Sequence, residues 1–159
     1  MKKILLLTAA FVFTLAASAQ TGTSPKPDDI AKFNEETHDF GKIKYNVPAI
    51  FYFEIKNITD KPIVVESATG SCGCTVPEKP DQPIEPGKTA KMKVQYAANA
   101  MGVQQKDVNV KLSGTDQMKT LHIRAEVVSA EEYDAMMKEK ANTPATPVKN
   151  EGTKEKPKN

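Results

Sequence analysis

Phe51-Tyr52-Phe53-Glu54-Ile55-Lys56-Asn57 decides the fold. Phe51, Phe53 and Ile55 alternate with Tyr52, Glu54 and Lys56. A period of two sends successive side chains to opposite faces, so this stretch is a strand with one buried and one wet face. The same rule reads outward along the chain. Ile63 and Val65 follow a turn at Asn57-Ile58-Thr59-Asp60-Lys61-Pro62. Ala90, Met92, Val94 and Tyr96 alternate with Lys91, Lys93 and Gln95. Val108, Val110 and Leu112 alternate with Asp107, Asn109 and Lys111, and Leu121, Ile123, Ala125 and Val127 with His122, Arg124 and Glu126. Proline and glycine separate these runs, and none shows a sustained helical period. The pattern predicts an all-β domain over residues 33–129. Its expected form is an immunoglobulin-like antiparallel β-sandwich of about seven strands.

The flanks read differently. Residues 1–19 hold fourteen hydrophobic residues behind Lys2 and Lys3, and end in Ala17-Ser18-Ala19. A charged start, a short apolar run and a small-x-small end form a secretory signal peptide, which predicts an exported protein, periplasmic or secreted. No cysteine follows the apolar run, which argues against a lipoprotein anchor. Residues 20–32 (QTGTSPKPDDIAK) read as a flexible leader. Residues 130–159 read as a charged low-complexity tail. Glu131 to Lys140 has the composition for a turn or two of helix. Ala141 to Asn159 has too little apolar surface to offset its ordering entropy and is expected to be disordered.

Charge excludes one class of partner. The chain of 159 residues has 22 Lys and Arg, and removing Lys2 and Lys3 leaves 20 against 20 Asp and Glu. A neutral mature chain lacks the basic footprint that nucleic acid requires. After signal removal, no stretch approaches the ~20 apolar residues that span a bilayer.

Several local patterns carry a resemblance. Thr37-His38-Asp39-Phe40-Gly41-Lys42-Ile43 opens the domain, and Phe51 to Asn57 follows. Then come Ser71-Cys72-Gly73-Cys74-Thr75, Ile84-Glu85-Pro86-Gly87 and the paired last strands. In this order they resemble the bacterial domain-of-unknown-function family 1573, over about residues 33–128. That family looks like the ASH, MSP and PapD group of immunoglobulin-like domains. The resemblance implies the sandwich fold, and relatives that mostly bind other proteins. Asn46 stands where a glycine is expected before the second strand, and asparagine tolerates positive φ.

Cys72-Gly73-Cys74 is the one pair with evident soft-ligand or redox chemistry. Three readings stand open. The thiols could close a tight disulfide, with Gly73 easing the turn. As thiolates they could hold a soft ion, copper(I), with Met92, Met101 or Met118 as further donors. They could also simply pack. Only His38 and His122 could complete a zinc site. The spacing is not the CxxC of thioredoxin-like proteins, and no βαβ pattern surrounds it.

The remaining polar residues suggest no catalysis. His38 reads as an edge or turn residue, and His122 as solvent-facing. Asp39 and His38, neighbours in a strand, point to opposite faces and make no dyad. Ser67, Ser71 and Ser113 lack a nucleophile context, and Asn57-Ile58-Thr59 reads as a turn before it reads as a glycosylation site. The expected function is therefore a non-enzymatic binding module of the bacterial envelope, with another envelope or secreted protein as partner. The alternative is a thiol-redox or copper(I)-handling protein acting through Cys72 and Cys74.

Overall fold

The computed structural model describes residues 24–142. A single-turn helix α1 (Pro27–Ile30) precedes β1 (Ala31–Phe33), β2 (Thr37–Lys44), β3 (Ala49–Asn57) and β4 (Val65–Gly70). Then follow β5 (Thr75–Glu78), β6 (Thr89–Tyr96), β7 (Gly102–Leu112), β8 (Met118–Val128) and α2 (Ala130–Asn142). Two four-stranded sheets form, sheet A in the order β1-β3-β6-β5 and sheet B in the order β2-β8-β7-β4. Their inner faces meet to make a β-sandwich.

The alternation sets the core. Phe53 and Ile55 of β3 and Met92, Val94 and Tyr96 of β6 point inward from sheet A. Val108, Val110 and Leu112 of β7 and Leu121, Ile123, Ala125 and Val127 of β8 point inward from sheet B. All are buried, and each large one is worth about 1.5–3 kcal/mol relative to exposure. β7 and β8 pair from Gly102↔Val127 to Lys111↔Met118, the longest ladder among the described residues.

Four details depart from the sequence reading. First, β2 runs parallel to β8, so sheet B is mixed rather than antiparallel. The side-chain period is the same in either direction, which is why alternation could not decide it. Second, the described residues form eight strands. β5 was hidden by Pro77, which an edge strand tolerates because its free side needs no N–H.

Third, the leader is not flexible through residue 32. Pro27, Ile30 and Ala31 are buried, and β1 pairs with β3 at Ala31↔Asn57, Lys32↔Lys56 and Phe33↔Ile55. Lys119 fixes this segment, with Nζ 2.7 Å from Asp28 Oδ1, 2.5 Å from Glu36 Oε1 and 5.8 Å above the Phe33 ring. Fourth, the tail begins as a helix of thirteen residues, longer than a turn or two. The Glu132 N–H donates to Ser129 Oγ at the start of α2. Lys42–Glu132 at 2.8 Å and Lys44–Asp134 at 3.1 Å tie it to β2. The signal peptide expected over residues 1–19 and the tail beyond 142 lie outside the described residues.

The turn after β3 is built on one buried amide. Asn57 Nδ2 donates to the carbonyls of Lys61 and Ile84, each at 2.7 Å. Its Oδ1 accepts from Thr59 N and Thr59 Oγ1, each at 2.8 Å. With both faces of its amide used, Asn57 holds a turn. Asn46 adopts φ 58°, the left-handed conformation that asparagine tolerates.

Candidate functional site

Cys72-Gly73-Cys74 forms the turn that carries the chain from β4 in sheet B to β5 in sheet A. The two sulfurs are joined as a disulfide, with the Cα atoms 5.2 Å apart. The turn is pinned on both sides. Ser71 N–H donates to Asp107 O at 2.8 Å, and Asp107 N–H donates back to Ser71 Oγ at 3.1 Å. Ala97 N–H donates to Cys74 O at 2.9 Å, and Thr75 N–H to Cys72 O at 3.1 Å. Thr75 Oγ1 lies 3.7 Å from Cys72 Sγ and 3.9 Å from Cys74 Sγ. Both cysteines are half-buried, and Cys74 packs on the core.

The glycine that the turn depends on is Gly70. A Cβ there would lie 2.1 Å from the Thr75 carbonyl oxygen, so the strands approach too closely for any side chain. Gly73 has open space around it and no positive φ. The freedom expected of Gly73 is thus not what closes the turn. Tyr96 faces Thr75 in the ladder and closes the core at this end. Burial raises its phenol pKa, and its hydroxyl has no hydrogen-bond partner among the described residues.

The pair has few ligand neighbours. As a disulfide it offers no thiolate, so copper(I) ligation by Cys72 and Cys74 needs the reduced form. Met92 is buried in the core. Met118 pairs with Lys111, four positions along β7 from Asp107, and Met101 lies before the far end of β7. Among the described residues no three His, Cys, Asp or Glu side chains gather as a metal site.

The histidines are placed apart. His38 Nδ1 lies 3.1 Å from Glu35 Oε1, and its ring stacks on Phe51 at 3.5 Å and meets Phe40 edge-on. Asp39 turns away and accepts from Gly41 N–H at 2.7 Å, so the two make no dyad. His122 stands on the outer face of sheet B, with Nδ1 2.8 Å from Asp107 Oδ1 across the β7–β8 ladder. That pair was missed by reading residues singly. Two alternating runs around Gly114 carry the signal, because closing the hairpin there sets 107 opposite 122.

A second feature lies on the outer face of sheet A. Ile50 is 48% exposed, Tyr52 50% and Val76 49%. The register places Ile50 and Val76 on either side of Gln95, and Tyr52 beside Lys93. Ile50 and Tyr52 of β3 and Val76 of β5 thus share the outer face as an apolar strip that Gln95 and Lys93 of β6 cross. Sequence reasoning placed Tyr52 outward but had no strand at Val76 to set beside it.

Residues 31–127 match the family model described as a protein of unknown function, DUF1573. The chain belongs to the DUF1573 family. No curated protein matches it. Among solved structures, this DUF1573 domain is similar to the ASH/PapD-like domain 7 of human CEP192. The TM-score is 0.56 at 7% identity, over 82% of this chain and 98% of that one. It is also similar to a protein of unknown function from Porphyromonas gingivalis W83 (TM-score 0.53, 16% identity, 61% of this chain and 46% of that one). A further match is the VesB protease of Vibrio cholerae, with TM-score 0.51 and 12% identity over 62% of this chain and 32% of that one. The DUF1573 chain thus spans less than half of these two bacterial proteins. At such identities the likeness shows the fold alone, an immunoglobulin-like β-sandwich. No helix among the described residues is long and apolar enough to cross a membrane.

Proposed function

We propose that this DUF1573 chain is an exported, non-enzymatic binding module that contacts another protein of the bacterial envelope. The observation that carries it is the apolar strip of Ile50, Tyr52 and Val76 on the outer face of sheet A. Single exposed apolar side chains are ordinary. Large ones grouped on one sheet face, here on β3 and β5 to either side of β6, mark a surface that is covered for part of its life. The PapD-like fold supports the reading, since its relatives by resemblance mostly bind other proteins. Export rests on the pattern of residues 1–19. The test places a photo-crosslinking residue at position 50, 52, 76 or 109 in the native host. Adducts at 50, 52 and 76 but not at 109, on sheet B, are expected. Absence of adducts from all three strip positions refutes the module. Intact mass of the exported protein checks cleavage after residue 19.

A second reading is favoured by the half-buried Cys72–Cys74 disulfide. It could accept two electrons and two protons from a partner dithiol, giving two thiols here and a disulfide there. The resulting thiolates would be the copper(I) ligands. Alkylation of the exported protein with and without reductant, followed by copper(I) titration of wild type and the Cys72→Ser/Cys74→Ser variant, tests it. Equal titration curves remove the metal role.

A further inference from the structure

The rest of the same face names the partner's chemistry. Lys32 and Lys56 stand directly opposite one another on β1 and β3, both exposed. Like charges in that position destabilise a sheet. Neither has an ion-pair or hydrogen-bond partner for its ammonium among the described residues, whereas Lys93 is held 2.9 Å from Glu78 and Lys91 3.6 Å from Glu54. A shallow hollow of about 200 Å³ is lined by Lys32, Phe33, Asn34, Glu54, Lys56 and Thr89, and the Glu54 carboxylate there is shared with the Lys91 ammonium at 3.6 Å. Along β3 the next outward residues are Glu54, Tyr52 and Ile50. The face therefore runs from an uncompensated basic end to an apolar end. At roughly 3.3 Å per residue, Lys56 and Tyr52 are about 13 Å apart along the strand.

Sheet B offers a compensated case. At its bulge between Asp39 and Lys42, the Lys42 ammonium contacts both Glu126 and Glu132. On sheet A, the four lysines at 32, 56, 91 and 93 face only Glu54 and Glu78 across the ladders. A local rule broken without compensation in the free protein is what a binding surface shows when the partner supplies the missing charge.

We propose that the outer face of sheet A docks an acidic, amphipathic segment of another protein. Its carboxylates seat between Lys32 and Lys56, and a large apolar residue about four positions away along an extended partner packs on Tyr52, Ile50 and Val76. The proposal rests on the binding-module reading and adds the sign of the partner's charge.

Two peptides of about ten residues, long enough to span the face, separate the two ideas. Both carry Leu and Phe at one end. One carries Glu-Glu at the other end, and its control carries Lys-Lys. Each is titrated into isotope-labelled mature protein by NMR at low salt. We expect the glutamate peptide to bind more tightly and to shift residues 32, 50, 52, 56 and 76. Lys32→Glu/Lys56→Glu should weaken it by about tenfold or more, from two surface charges, and favour the lysine peptide. The variant's circular dichroism should match wild type, and Tyr52→Ala should weaken both peptides.

Equal affinity for the two peptides at this face overturns the acidic partner while leaving the module. Binding of neither, or shifts confined to other faces, overturns the proposal. Phosphatidylglycerol vesicles that shift the same residues when the glutamate peptide does not would assign the face to lipid instead. Concentration-dependent dimerisation abolished by Tyr52→Ala would assign it to a second copy.

Discussion

At the scale of single residues, the turn between the sheets makes opposite demands on two glycines. Gly70 lies where strand meets strand, and any Cβ there collides with the Thr75 backbone. Gly70→Ala should cost about 2 kcal/mol or more by overpacking, because a carbonyl held in a ladder cannot give way. Gly73→Ala should fall within about 0.5 kcal/mol of wild type. Urea denaturation of the two variants side by side checks the contrast. Asn57 makes a third case. Its amide satisfies the Lys61 and Ile84 carbonyls and Thr59 N–H. Asn57→Ala leaves Thr59 N–H without its acceptor, while the Ile84 carbonyl keeps Ile63 N–H and the Lys61 carbonyl keeps Thr59 Oγ1. At about 1–3 kcal/mol for one orphaned group, the loss should reach about 1–3 kcal/mol. The same measurement reads it, and a loss below about 1 kcal/mol would mean that water replaces the side chain.

At the scale of elements, the N-terminal strap and the C-terminal helix are held by different physics. α1 and β1 bury Pro27, Ile30 and Ala31 and add a short edge to sheet A. Lys119 anchors them. Burial pulls its ammonium pKa down, but hydrogen bonds to Asp28 and Glu36, aided by their charge, outweigh burial and hold it above 10.5. A lysine raised in the folded state contributes stability that is complete below the unfolded pKa. That stability fades as pH rises through the folded pKa. Hydrogen exchange at Ala31 and Phe33 should therefore accelerate above about pH 10.5, over and above the intrinsic rate, in wild type. Lys119→Met should remove that extra acceleration. An unchanged profile in the variant would show that β1 does not depend on this clamp. α2, by contrast, meets β2 mainly through exposed ion pairs of the kind that salt screens.

At the scale of the whole molecule, the core carries stability and the disulfide does not. Closing a loop of three residues removes little chain entropy, about 1.6 kcal/mol at most. Leu121→Ala, in the middle of the longest ladder, should cost about 2–5 kcal/mol. Reduction of Cys72–Cys74 should thus lower the unfolding free energy by less than this one core truncation, as measured by urea melts with and without reductant. A larger loss on reduction would mean that the turn organises the junction of the two sheets. The exposed strip of Ile50, Tyr52 and Val76 belongs to this scale too, since it exists only because β5 docks beside β6.

The sequence by itself determined the local pattern. Alternation at 51–55, 90–96, 108–112 and 121–127 named the inward residues, because a side-chain period of two is a property of the strand and not of its neighbours. The order of local motifs also carried the family. The tertiary structure alone decided three things. It set the direction of β2 against β8, to which the period is blind. It placed β1 and β5, each too short or too interrupted to show a period, on the edges of sheet A where a ladder captures them. And it set Lys32 opposite Lys56 and Val76 across Gln95 from Ile50. These residues are far apart in the chain, and only strand pairing brings them onto one face.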